Sequence, residues 1–204
     1  MDVRQADDHL DGLARRLTPR DARGRAVMLA PVTEGAGAST IAAQLARRAA
    51  HVSGRPAWLY DLDFQSNTQA GRARLNGQAY AGELSGMKFW REEPDGAGRL
   101  AMRRCADAPI FISEFQRQPG AVRRLTFHGA RDYWHQARLV GGLVILDAPY
   151  NSAALTALAP DMDGVILVAD ASASRRSAAD KLASRIEEAG GRVLGVVVNR
   201  APGP

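Results

Sequence analysis

Ala26-Val27-Met28-Leu29-Ala30-Pro31-Val32, then Thr33-Glu34-Gly35-Ala36-Gly37-Ala38-Ser39-Thr40, then Ile41-Ala42-Ala43-Gln44-Leu45-Ala46-Arg47-Arg48-Ala49-Ala50, is the stretch that decides the fold. An apolar run leads into a glycine-bearing loop, and a helix-like run leads out of it. That order aims backbone N–H groups and a helix N-terminus at one point, an arrangement suited to phosphate. Against the pattern G-x-x-x-x-G-K-[ST], Gly37 and Ser39 fit. Val32 stands at the first glycine and Ala38 at the lysine. The chain has only two lysines, Lys88 and Lys181. None of the loop's sequence neighbours can replace the missing one.

Outward from the loop, five further apolar runs read as buried strands: Ala57–Leu62, Pro109–Ile112, Gly142–Leu146, Gly164–Val168 and Val193–Val198. With Ala26–Val32 they make six. Such runs, rich in Val, Ile and Leu without alternation, suit a parallel sheet covered on both faces. Helical patterns lie between several of them. The clearest is 173–189, with Ala178, Leu182, Ile186 and Ala189 on one face and Gly190-Gly191 as its stop. Residues 1–20 read as a short helix with Asp7, Asp8 and Asp11 at its start and Arg15 and Arg16 at its end, as the helix dipole favours. The segment 70–108 reads as an irregular insertion or lid with some helix. The predicted architecture is α/β: one doubly wound, mostly parallel sheet with helices on both faces, residues 1–204 forming a single domain.

Composition narrows the class. The 204 residues are 46% hydrophobic and 24% charged, enough for a full core. No apolar run reaches the roughly 20 residues of a transmembrane helix, and the acidic start at Met1–Asp8 is unlike a signal peptide, so a cytoplasmic location is expected. Cys105 is the sole cysteine, which excludes an intrachain disulfide and a cysteine-based zinc site. The net charge is +5. The 25 arginines are spread along the chain, which fits codon bias better than a nucleic-acid stripe, and nucleic acid is not expected as a partner.

Two acidic motifs join the loop. Asp61-Leu62-Asp63-Phe64-Gln65 follows the second expected strand, and Asp147-Ala148-Pro149 follows the fourth. Both fall at the C-terminal ends of strands, where open α/β sheets bind ligands.

Asp61–Gln65 resembles the D-x-D-P-Q motif of the ParA/MinD ATPases, with Phe64 at the proline place. Leu143–Pro149 resembles their Walker B strand. Gly164–Val168 continues the resemblance, and Glu187–Arg200 resembles the end of the bacterial tyrosine kinase domain, the branch tied to capsule and exopolysaccharide assembly. Gly35–Ala43 is similar to that branch's G-x-G-K-S-T loop except at Ala38. The resemblance covers 26–69 and 141–200 and implies a P-loop NTPase-like domain. It implies that Gly35, Gly37, Ser39 and Thr40, with Ala38 at the lysine place, cradle the phosphates of ATP or ADP. Ser39 and Asp147 would hold Mg²⁺, Asp61 or Asp63 would act near the metal and the attacking group, and Asn199 would sit by the adenine.

The departures fall on the phosphate side. Ala38 removes the charge that stabilises a transferring phosphoryl group. Thr33 stands where ParA/MinD proteins have a second, signature lysine, and Glu34 puts a negative charge beside the loop. A charge-assisted hydrogen bond contributes roughly 1.5–3 kcal/mol, so its loss weakens binding about tenfold to 150-fold. The four tyrosines, 60, 80, 133 and 150, do not form the tyrosine-rich tail of the kinase branch. Its Arg-rich oligomerisation motif is hinted at only by Arg15 and Arg16, and a homodimer is a further expected partner. The resemblance thus implies a catalytically degenerate ATPase or pseudokinase with weak or no ATP and Mg²⁺ binding. It would serve exopolysaccharide (for example holdfast) synthesis or export as cytoplasmic partner of a membrane polysaccharide co-polymerase, peripheral to the inner membrane. The alternative is an active ParA/MinD-type ATPase that positions cargo, an arginine or a dimer partner replacing the lysine.

Overall fold

The computed structural model describes residues 3–18, 23–118, 120, 122–171 and 176–199. The side chains of Asp7 and Asp8 and the terminal segment 200–204 lie outside the described residues.

Helix α1 (Val3–Leu17) is followed by β1 (Arg25–Pro31), α2 (Ala38–Ser53), β2 (Ala57–Asp61) and the short α3 (Thr68–Arg72). Then come β3 (Leu75–Ala81), β4 (Trp90–Glu93), β5 (Gly98–Cys105), β6 (Ile110–Arg117) and β7 (Arg124–Phe127). The chain continues through α4 (Arg131–Val140), β8 (Leu143–Asp147), α5 (Ala154–Leu158), β9 (Gly164–Asp170), α6 (Arg176–Glu188) and β10 (Val193–Asn199). All six apolar runs are strands: β1, β2, β6, β8, β9 and β10.

An 8-stranded sheet has the order β10-β9-β1-β8-β2-β6-β5-β3. Every pairing from β10 to β6 is parallel. The pairings β6–β5 and β5–β3 are antiparallel. The doubly wound, mostly parallel sheet read from the sequence is therefore present.

Successive residues of the parallel strands feed opposite layers, which is why their sequence is continuously apolar. In β1, Val27 and Leu29 pack with Leu10, Ala14, Ile41, Leu45 and Ala49 of α1 and α2. Ala26, Met28 and Ala30 pack toward Tyr133 and Trp134 of α4, Leu155 and Leu158 of α5 and Ile186 of α6. Helix α6 stops at the expected glycines, with the Gly191 N–H donating to Ile186 O at 2.9 Å. Cys105 closes β5 opposite Leu75, buried in the α1/α2 layer.

The segment 70–108 departs from the expectation of an irregular lid. Past the end of α3 it contains β3 and β5, which extend the sheet antiparallel, and β4, which pairs with β7 in a separate two-stranded ribbon. Aromatic packing holds this β-rich region. Phe89 and Trp90 are fully buried and share one cluster with Phe64, Phe115, Tyr60, Tyr133 and Trp134. Phe64 stacks on Phe115 with centroids 4.4 Å apart. Lys88 is bound into the same region, its Nζ donating to Glu92 at 3.0 Å and lying 5.7 Å from the centre of the Trp90 ring.

Candidate functional site

The site is the C-terminal edge of the parallel strands. Register puts Asp147 of β8 beside Leu29 of β1 and Asp61 of β2. The three sequence motifs therefore leave the sheet at adjacent points.

The loop 32–37 leaves β1 by a route its departures explain. Val32 continues the strand, with its N–H donating to Val168 O at 2.8 Å and its side chain buried in the core. A core side chain thus stands where the pattern has a flexible glycine. The Ala36 N–H donates to Thr33 O at 3.2 Å to close the turn. Gly37 precedes α2 with φ 85 and ψ 21, a left-handed conformation that favours glycine. A Cβ at Gly37 would also run into the Asn199 carboxamide. Asn199 itself lies behind the loop, its Nδ2 donating to Ala36 O at 3.0 Å.

Gly35, Gly37, Ala38, Ser39 and Thr40 line one face of an open cavity of about 530 Å³. Glu34, Arg72, Pro149 and Tyr150 are among the other residues that line it. Thr40 is exposed, Ser39 half-buried and Ala38 only 4% exposed.

The carboxylates behind the loop have unequal freedom. Asp61 is 2% exposed, and both of its oxygens are engaged. Oδ1 accepts from the Asp63 N–H at 2.9 Å and Oδ2 from the Gln69 N–H at 2.8 Å. Burial, reinforced by the neighbouring Asp147 charge, pushes its pKa up to about 6 against the pull of those N–H groups. Asp63 is occupied by its own turn, accepting from the N–H groups of Gln65 and Ser66 and from the Ser66 hydroxyl. Asp147, 3% exposed, accepts from Gln69 Nε2 at 2.6 Å through Oδ2, while its buried Oδ1 has no hydrogen-bond partner among the described residues. Burial raises the Asp147 pKa, and Gln69, the nearby Ser39 hydroxyl and the Arg72 charge draw it back.

Asp147, Ser39 and the glycine loop thus come together. Asp61 and Asp63 stand behind them as braces of the loop 61–67. Asn199 touches the loop backbone. Gln69 was not singled out by sequence: its Nε2 also donates to Ser39 O at 2.9 Å, tying α3 to both the loop and β8. Nothing in its position marks it, since α3 is five residues long and has no periodicity to read. Phe64, at the proline place of the D-x-D-P-Q pattern, anchors this loop by its ring to Phe115, Phe89, Trp90 and Phe127.

Fold and site together define an α/β P-loop NTPase-like protein. Solved structures that share this fold include bacterial tyrosine kinase domains and a ParA family ATPase. The chain is similar to the BceF tyrosine kinase domain, with TM-score 0.65 and 19% identity over 97% of this chain and 78% of that one. It is similar to the kinase domain of the Escherichia coli tyrosine kinase ETK, with TM-score 0.62 and 17% identity over 98% of this chain and 78% of that one. It is also similar to a ParA family ATPase from Chlorobium tepidum, with TM-score 0.55 and 14% identity over 88% and 75% of the two chains. No family model matches the sequence, and no curated protein sequence matches it.

Proposed function

We propose that this protein is a catalytically degenerate P-loop protein, a pseudokinase of the bacterial tyrosine kinase type. In this reading it keeps the fold as a binding module for exopolysaccharide synthesis or export. It works in the cytoplasm beside a membrane polysaccharide co-polymerase, and a second copy of the chain is a further expected partner. None of its helices, among the described residues, is long and apolar enough to cross a membrane, so attachment to the membrane would come through that partner.

The observation that carries the reading is an imbalance between the buried carboxylate behind the loop and the cavity in front of it. On the carboxylate side, Asp147 stays buried near the Ser39 hydroxyl, with Oδ1 not paired in any hydrogen bond among the described residues. On the phosphate side, the lysine position is Ala38 and the neighbouring side chain is Glu34. The donors that remain are the loop N–H groups around Gly35 and Gly37, which can hold phosphate by dipole without supplying a full charge.

The residues fit a magnesium–nucleotide in part. The Ser39 hydroxyl and Asp147 Oδ1 would hold Mg²⁺, which when bound screens phosphate charge. Gly35, Gly37, Ala38, Ser39 and Thr40 would face the phosphates, and Asn199 would lie on the adenine side. Asp61 and Asp63 keep the loop 61–67 in place, and their oxygens are committed to N–H and O–H donors. No group positioned by the loop stabilises the charge that develops during transfer, which is the interaction that speeds the chemical step.

ATP turnover and tyrosine phosphorylation by the purified protein test the reading. The expected result is no activity above an Asp147→Asn control. Hydrolysis or phosphorylation clearly above that control refutes it.

A further inference from the structure

The loop has no lysine, yet its cavity still holds a cation. Arg72 is the last residue of α3, and its side chain lines the cavity together with Gly35–Thr40. Helix α3 is fixed against the loop by Gln69, whose Nε2 reaches both Ser39 O and Asp147 Oδ2. Gln69 and Arg72 are three apart, so a helix places them on one side, and the anchor of the first aims the second.

Among the described residues lining the cavity, Arg72 is the sole cation and Glu34 the sole anion. The Arg72 side chain is exposed, and no ion pair or hydrogen bond holds it among the described residues. Its charge is felt at Asp147, which it helps keep ionised. Lys88 is committed to Glu92, and Lys181 lines a neighbouring groove with Val32, Asn151 and Arg185.

We propose that Arg72 is the phosphate-binding cation of this cavity, holding the polyphosphate of a nucleoside di- or triphosphate against the loop backbone in place of the absent lysine. The proposal rests on reading the cavity as a degenerate nucleotide site. A guanidinium presents a planar fork of donors that matches phosphate oxygens in pairs. Approaching from α3, it binds ground-state charge, which supports retention of a nucleotide without requiring turnover.

Calorimetric titration of Mg-ATP, Mg-ADP and inorganic pyrophosphate into the purified chain tests this, with thermal melts to verify that each variant folds. Arg72→Ala should weaken all three about tenfold to 150-fold. Arg72→Lys should lose less. Arg74→Ala and Lys181→Ala should stay within about twofold of the parent, and Ala38→Lys should restore binding to Arg72→Ala. Pyrophosphate has no base, so a loss shared by all three ligands belongs to the phosphates. The proposal is overturned if Arg72→Ala binds like the parent, if Lys181→Ala loses as much, or if the parent binds none of the three. Turnover measured on the same samples separates the two readings. Absent binding removes the role of Arg72 and leaves the degenerate protein, whereas clear turnover with Arg72-dependent binding does the reverse.

Discussion

The parallel half of the sheet, β10-β9-β1-β8-β2, and the antiparallel half, β6-β5-β3 with the β4–β7 ribbon, are built on different principles. The first is aliphatic and continuous, and carries the loop and Asp147 at its edge. The second is aromatic and punctuated by glycine and charge. They meet at β6, where Ile112 pairs with Leu59 of β2 on one side and Arg103 of β5 on the other. Beyond that point side chains take over from the ladder. Ser113 Oγ accepts from the Asp61 N–H at 2.8 Å. Asn67, with φ 49, mimics a strand partner for Phe115, accepting from its N–H at 2.7 Å and donating to its carbonyl at 3.0 Å. The acidic loop 61–67 is therefore shaped by the antiparallel half even though it belongs to the site of the parallel half.

The strongest way to break this junction is at Phe64. Phe64→Ala removes a buried ring that stacks on Phe115, which costs about 3–5 kcal/mol. For a chain of this size that lowers Tm by roughly 6–20 °C in a thermal melt. Hydrogen exchange should show β5 and β6 losing more protection than β9. Phe64→Pro, which completes the D-x-D-P-Q pattern, should destabilise as well, because the cluster loses the same ring. A Tm unchanged in either variant would show that the aromatic half does not hold this loop.

A pH profile probes the same junction from the site side. Asp61 titrates near 6 when folded against an ordinary 3.8. A carboxyl raised in this way stabilises fully below about pH 4 and loses that contribution as pH rises through 6, on the order of 2–3 kcal/mol. Asp147 is raised in the same direction. Urea unfolding between pH 4 and 7 should show stability declining more steeply for the parent than for Asp61→Asn, which cannot ionise. Parallel profiles would contradict the environment described for Asp61.

Gln69→Ala should cost about 1–3 kcal/mol, because it leaves buried Asp147 Oδ2 without its amide donor and removes the tie from α3 to Ser39 O. Denaturant titration measures the loss, and a value near zero would mean that water replaces the amide at no cost. The smallest effect belongs to Glu34→Gln. Removing one exposed negative charge from the cavity rim should tighten pyrophosphate about two- to fivefold at low salt, and the gain should shrink as salt screens it. Unchanged or weaker binding would separate Glu34 from the phosphate side.

What was legible in the sequence follows the same division. The five strands of the parallel half, and β6 where it pairs with β2, were read because a strand buried on both faces needs no alternation, and a bare apolar run suffices. The edge location of Asp61 and Asp147 followed from strand order. The antiparallel strands escaped because their burial alternates imperfectly: β5 buries Leu100, Ala101 and Met102 in succession, while Arg99 and Arg104 interrupt the pattern. Within the site, Gly37, Ser39 and Asp147 stand out by motif. Gln69 and Arg72 do not, because their roles depend on where a five-residue helix lands, which the neighbouring loops decide. Phe64 is visible in sequence only as the residue at the proline place, because its packing depends on rings brought in by β4, β6 and β7.

The burial of Cys105 has a practical side. The only thiol of the chain is 3% exposed, and burial raises its pKa, so it is both shielded and poorly ionised at neutral pH. Thiol reagents should pass over the folded protein, and a cysteine introduced at an exposed position such as Gln44 would be its single reactive handle. A fluorophore or spin label could then be attached to α2, beside the loop, without first engineering away a competing site.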